Sequence, residues 1–267
     1  MQELTAQHTL IEDRFQGVPE VAHGGYVAGM LAAALGSDSV EVRLRRPVPT
    51  GRLLELEASD ETLELRDGEA LLARASRTAL HIETPLPISI TEAESAARNF
   101  LGADEHPLPG CVVCGTHRHP GDGLRIFPGP VAGRRLVAAP WVPDAELADG
   151  SGRVPGALAS AALDCTQLWA LIAHSPSGVR DKVVTASLEL SLGAPVVAGE
   201  QHVVLGWPIG RDGRNWLAGA AVVGPRGEIC ALGRQRAAIT DWGVPLGFRP
   251  SATQAKTTNK EEHHEAH

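Results

Sequence analysis

The sequence predicts an α+β protein with two similar halves, each a long central helix wrapped by a curved antiparallel sheet. Two small-residue, apolar segments are typical of buried helices. Each follows an extended segment and precedes several stretches in which apolar and charged residues alternate, as in half-buried strands. The chain has 267 residues, 43% of them hydrophobic, which is enough for a large core.

The first predicted repeat covers residues 1–84. An extended segment at 8–15 precedes a helix from His23 to Leu35, which Gly36 ends. Strand-like stretches follow at 40–45, 53–58 and 71–77, with a hairpin turn at 66–69.

The second predicted repeat covers residues 131–249 and has the same order. Residues 135–141 are extended, and a helix spans 155–174, with Pro155 suited to its first turn. Strand-like stretches follow at 185–191, 203–207, 216–223 and 229–236. The segments 46–51 and 194–199 share Pro-Val and a later Gly, each just after an alternating strand, which favours duplication. Residues 85–130 form a Pro/Gly-rich joint, and we predict a disordered polar tail at 250–267.

Asp164 lies inside the second apolar helix. Burial of a carboxylate there is costly unless a partner or a reaction requires it. The first helix begins at His23-Gly24-Gly25, where free backbone N–H groups suit a developing oxyanion. A structural Asp164, paired with an arginine or capping backbone, is the alternative.

Several motifs carry a family resemblance. They are Phe15-Gln-Gly17, Val21-Ala-His23-Gly24-Gly25, Cys111-Val-Val-Cys114-Gly115, Gly123-Leu-Arg125 and Asp164. By these motifs the chain resembles the hot-dog-fold acyl-CoA thioesterase superfamily, in its phenylacetyl-CoA-type branch, over roughly residues 8–240. Because the pattern recurs, it resembles a tandem double hot-dog. The resemblance implies hydrolysis of an acyl-CoA or related thioester without metal or organic cofactor.

The resemblance also implies an acidic residue nine positions after the histidine. In a dimer of the family, this acid acts at the helix start of the partner subunit. Nine residues beyond His23 the chain has Ala32, and nine residues before Asp164 it has Pro155. Nine helical residues rise about 13 Å, so Asp164 cannot serve its own helix start. We therefore expect one composite site, with the Gly25 amide as oxyanion hole and Asp164 as general base or nucleophile.

Five further residues are candidates beside this pair. His23 would orient the substrate or fix the loop. Gly24, Tyr26, Thr166 and Gln167 would line the substrate site, although ordinary packing or local hydrogen bonding is an alternative for the last three. Six arginines could meet CoA phosphates, but the sequence assigns none of them: Arg43, Arg45, Arg46, Arg125, Arg134 and Arg135.

Composition excludes other classes of function. The net charge of −8 argues against nucleic-acid binding. We find no signal core or membrane span, and four cysteines form no disulfide scaffold, so we expect a cytoplasmic protein. Further homo-oligomerisation of double hot-dogs stays open.

A Cys-x-x-Cys motif lies in the joint. Cys111, Cys114, His117 and His119 are four candidate ligands within nine residues, too tightly spaced for one tetrahedral site, and no second pair follows. We expect no metal and a compact loop. Two rival functions stay open: an enoyl-thioester hydratase, disfavoured because no Asp-x4-His spacing lies near either helix, and a non-catalytic thioester-binding or regulatory protein.

Overall fold

A computed structural model describes residues 7–176 and 179–249, so the predicted tail at 250–267 lies outside the described residues. The elements of the first half are β1 (Gln7–Leu10), β2 (Gln16–Val18), β3 (Val21–Ala22), α1 (Gly24–Leu35), β4 (Ser39–Leu44), β5 (Leu53–Ala58), β6 (Thr62–Asp67) and β7 (Ala70–Arg77). Helix α1 ends as predicted, where Gly36 takes a left-handed conformation with φ of 62°.

The second half repeats this order. Its elements are β8 (Gly129–Pro130), β9 (Val137–Trp141), α3 (Gly156–His174), β10 (Lys182–Leu192), β11 (His202–Asp212), β12 (Asn215–Val223), β13 (Ile229–Thr240) and β14 (Val244–Pro245). Helix α3 is long and apolar enough to cross a membrane, but 78% of its apolar window is buried within this fold.

Several elements differ from the sequence-based expectation. The segment expected to be extended over 8–15 forms strand β1 only as far as Leu10, and a 3-10 helix follows at Asp13–Phe15. The prediction of three strands after α1 was wrong, because β6 forms a fourth strand, paired with both β5 and β7. The joint also contains helix α2 (Ile90–Ala97). Ser89 and Glu92 form a capping box at its start, a signal that the sequence carries.

One antiparallel sheet contains both halves. Its strand order is β1-β5-β6-β7-β4 in the first half and β10-β13-β12-β11-β9-β8 in the second. The halves join where β4 pairs with β10, and Glu41 faces Glu189 across this junction. Apart from β8, the order of each half reads the same outward from the junction, as in an isologous dimer.

The shared Pro-Val-x-x-Gly segments occupy equivalent places. Val21 bridges Pro49 before α1, and Arg153 bridges Val197 before α3. Gly51 and Gly199 have φ of 70° and 78°. The two halves therefore correspond element by element around their helices.

Helices α1 and α3 pack against each other in antiparallel directions, and both contact strands of the sheet. A Cβ on Gly25 would meet Ser160 and Ala161, and one on Gly29 would meet Ala157. Small residues thus bring the two backbones close enough for the start of α1 to reach the middle of α3.

Candidate active site

Asp164 lies midway along α3, with 2% of its surface exposed. Its Oδ2 accepts a hydrogen bond of 2.7 Å from the backbone amide of Gly25. That amide is in the first turn of α1, where backbone N–H groups have no partner inside the helix. The structure thus brings together the acid of one half and the amide of the other.

The missing side chain of Gly25 makes this contact possible. An ideal Cβ there would lie 2.6 Å from the Cβ of Asp164 and 2.6 Å from the carbonyl oxygen of Ser160. Real Cβ atoms do not approach so closely, so a larger residue would push the helices apart.

The second carboxylate oxygen of Asp164 is held by two strands. Thr185 on β10 donates to Oδ1 at 2.7 Å, and Gln235 on β13 donates to the same atom. Gln235 also donates to the Thr185 hydroxyl at 2.9 Å. This network fixes the carboxylate and directs Oδ2 toward Gly25. Sequence reasoning missed both residues, because no local motif links them to a carboxylate on another element.

His23 lies between Asp164 and a sulfur atom. Its Nδ1 is 3.6 Å from Oδ2 of Asp164, and its Nε2 is 3.1 Å from Sγ of Cys165. Burial opposes protonation of the imidazole, but the neighbouring Cys111 and Asp164 outweigh that effect and raise the pKa of His23.

Three buried thiols surround this histidine. Sγ of Cys165 is 3.6 Å from Sγ of Cys111 and 3.4 Å from Sγ of Cys114. Hydrogen bonds from Cys114 and Cys165 hold the pKa of the Cys111 thiol well below its usual value. Cys111 and Cys114 are buried, whereas His117 and His119, the other two candidate ligands of the motif, are exposed on the loop. Donors suited to a metal come instead from His23, Cys111, Cys165 and the adjoining Cys114.

A cavity of about 460 Å³ opens onto Asp164, His23, Gly24 and Thr185. Its remaining wall is mostly apolar. It includes Val27, Leu44, Val48, Leu108, Leu168, Trp169, Ile172 and Val183. Arg45 and Arg46, both exposed, also line it. The volume and lining suit a small apolar group whose polar end reaches the carboxylate.

Three predicted substrate contacts lie outside this lining. Tyr26 stacks on Phe15, with ring centroids 4.2 Å apart. The Thr166 hydroxyl donates to the carbonyl of Ala162 within α3. Gln167 is fully buried, and its Nε2 lies 3.5 Å from the carbonyl of Ala218 on β12. The cavity-facing side of α3 is formed by Asp164, Leu168 and Ile172, which repeat every four residues. Thr166 and Gln167 lie outside this stripe, so these two residues and Tyr26 are not among the residues that line the cavity.

No protein-family model and no curated protein matches the chain. Solved structures do resemble it. A candidate thioesterase from Novosphingobium aromaticivorans has a TM-score of 0.59 at 10% identity, covering 90% of this chain and 97% of its own. A candidate thioesterase II from Thermobifida fusca has a TM-score of 0.55 at 14% identity, covering 88% and 93%.

A third similar structure is a protein of unknown function with a hot-dog fold from Alicyclobacillus acidocaldarius. Its TM-score is 0.51 at 12% identity, and the match covers 90% of this chain and 94% of that one. The chain has the hot-dog fold, which confirms the resemblance at the level of the fold.

Proposed function

We propose that this hot-dog protein hydrolyses an acyl thioester at a single composite site between two tandem hot-dog units. The observation that carries the proposal is the 2.7 Å contact between Oδ2 of Asp164 and the Gly25 amide. Asp164 lines the mostly apolar cavity, and Gly25 directly follows the lining residue Gly24. A catalytic carboxylate and an oxyanion donor have to flank the same carbonyl group. Two of the similar structures are candidate thioesterases, which agrees with this chemistry.

In this mechanism the substrate carbonyl oxygen replaces Oδ2 as the acceptor at the Gly25 amide. Oδ2 of Asp164 then takes a proton from water, hydroxide adds to the carbonyl carbon, and the amide stabilises the oxyanion. As the C–S bond breaks, the proton passes from Asp164 to the leaving thiolate. Direct attack by Oδ2, giving a mixed anhydride that water then hydrolyses, uses the same geometry.

The remaining contacts fit these roles. Thr185 and Gln235 hold Oδ1, which leaves Oδ2 as the reactive atom. The apolar wall suits the acyl group, and Arg45 and Arg46 lie where phosphates of a CoA moiety would find cations. The substrate we propose is therefore an acyl-CoA or a related thioester.

Hydration of an enoyl thioester is a second candidate, favoured by one observation. His23 and Asp164 approach within 3.6 Å although they come from different halves. Against it, Nε2 of His23 faces the sulfur of Cys165. Incubation with enoyl-CoA distinguishes the two reactions, because hydration removes the conjugated double bond without releasing a thiol.

The test is Asp164→Asn, assayed by thiol release over a panel of acyl-CoA chain lengths. The amide keeps the shape of the side chain but neither accepts a proton nor attacks, so we expect kcat/KM to fall about 1,000-fold. Asp212→Asn is the control, because that carboxylate, at the end of β11, forms an exposed ion pair with Arg236 on β13. Full hydrolysis by Asp164→Asn would overturn the assignment, and binding by the parent protein without thiol release would favour a thioester-binding protein.

A further inference from the structure

Three cysteines and one histidine from distant parts of the chain meet in the interior. Cys111 and Cys114 come from the joint, Cys165 from α3, and His23 from the residue before α1. The cysteines are 1%, 4% and 6% exposed, and His23 is 5% exposed. The ligand atoms of His23, Cys111 and Cys165 all lie within 4.8 Å of one another. Cys114 adjoins this group, with its Sγ 3.4 Å from that of Cys165, although it is not one of the three residues whose ligand atoms are all within 4.8 Å.

The spacing of these atoms matches a metal site better than ordinary core packing. Buried thiols usually pack as small apolar groups, whereas these sulfur atoms face one another and an imidazole nitrogen. Tetrahedral zinc with Zn–S bonds of about 2.3 Å separates its sulfur ligands by about 3.8 Å. The two measured sulfur separations are 3.6 and 3.4 Å, so small movements would admit the ion.

The surroundings also have the features of a metal site. Nδ1 of His23 is buried without a hydrogen-bond partner, and the Asp164 carboxylate lies 3.6 Å from it. A carboxylate on the far nitrogen is how proteins orient a metal-binding histidine. Gly115 leaves room for the backbone of Cys111 and Pro109 in the turn that closes the motif.

We propose that Cys111, Cys114, Cys165 and His23 bind one zinc ion, contrary to the expectation from sequence that the chain binds none. Soft thiolates with one imidazole select zinc over hard cations, and four protein ligands make a closed, structural site. The ion would tie the joint to α3 and fix His23, the residue that leads into Gly24 and Gly25. Its role is to position the start of α1, while hydrolysis proceeds at Asp164.

Zinc content tests this proposal. The protein used is the full chain with Ala in place of His263, His264 and His267, so that the tail contributes no imidazole. It is dialysed against EDTA, and its zinc content is measured by plasma mass spectrometry. We expect about one zinc per chain. Cys111→Ser and Cys165→Ser should each lower it to below about 0.2. Cys230→Ser is the matched control, a buried thiol that instead faces the carbonyl of Pro195, and it should keep the zinc.

X-ray absorption of the parent protein needs no variant that could fail to fold. We expect three sulfur atoms at about 2.3 Å and one nitrogen at about 2.0 Å from the zinc. Any of three results would overturn the proposal: less than about 0.2 zinc per chain in protein grown with added zinc, iron bound in place of zinc, or a coordination shell without sulfur. Asp164→Asn should lose hydrolysis yet retain zinc, so failure of this proposal is distinguishable from failure of the proposed function.

Discussion

The starts of α1 and α3 are equivalent places in the two halves, yet they share only one glycine, Gly24 in the first and Gly156 in the second. The first is His23-Gly24-Gly25 and faces Asp164. The second is Pro155-Gly156-Ala157, and the position that corresponds to Asp164 is Ala32. Strand register also identifies the counterpart of Gln235. Val40 and Leu188 are equivalent, because each precedes the glutamate at the junction of β4 and β10. Arg77 pairs with Val40 and Gln235 pairs with Leu188, so Arg77 occupies in the first half the position that Gln235 has in the second.

This difference explains how a duplicated pair can specialise. In a homodimer of identical chains, one sequence must supply both the amide and the acid, so two equal sites result. Once the two copies are joined in one chain, each helix needs to retain only one of these two groups. Here the first half keeps the glycine-rich start and the second keeps the acid. On the proposed function these losses are complementary and leave one complete site.

The comparison is tested most strongly by exchanging glycine and alanine between the two helix starts. Gly25→Ala places a methyl group against the backbone of α3, so we expect kcat/KM to fall about 100-fold and the free energy of unfolding to fall by about 1–3 kcal/mol. The mirror change Ala157→Gly should leave kcat/KM unchanged and cost about 1 kcal/mol. Thiol release measures kcat/KM, and urea unfolding measures the free energy of unfolding. Equal losses of activity in the two variants would show that the halves are not specialised.

A smaller effect is expected when the support of the carboxylate is weakened. Thr185→Val removes one donor to Oδ1 of Asp164 at nearly constant volume, and we expect kcat to fall about tenfold with KM little changed. Ser187→Ala, two residues along the same strand, is the control because Ser187 does not line the cavity. An unchanged kcat for Thr185→Val would remove this residue from the site.

The smallest effect concerns the exposed arginines of the cavity. Arg45→Ala or Arg46→Ala should raise KM for an acyl-CoA about threefold to fivefold, because exposed ion pairs contribute little. KM for the same acyl group on N-acetylcysteamine, which has no phosphates, should not change. Arg43→Ala is the control, since Arg43 bonds Glu41 instead of lining the cavity. Equal changes for both substrates would exclude a phosphate contact.

Much of this arrangement could be predicted from local sequence patterns. Hydrophobic periodicity and the residues at the helix ends predicted α1 and α3. Because Asp164 lies about 13 Å along α3 from the start of that helix, it was expected to act with the start of the other helix. Thr185 and Gln235 could not be found this way, because they reach Asp164 through the pairing of β10 with β13 and a register shift beside Thr185. Cys165 was missed for the same reason. It adjoins Asp164 in sequence, but its partner Cys111 lies 54 residues away.

The central claim is tested most directly by a crystal structure of the Asp164→Asn protein with an uncleaved acyl-CoA. The account predicts the thioester oxygen within about 3 Å of the Gly25 amide, with the acyl chain in the cavity and residue 164 beside the carbonyl carbon. A thioester bound at Ala157 and Ala32, or away from Gly25 altogether, would contradict it.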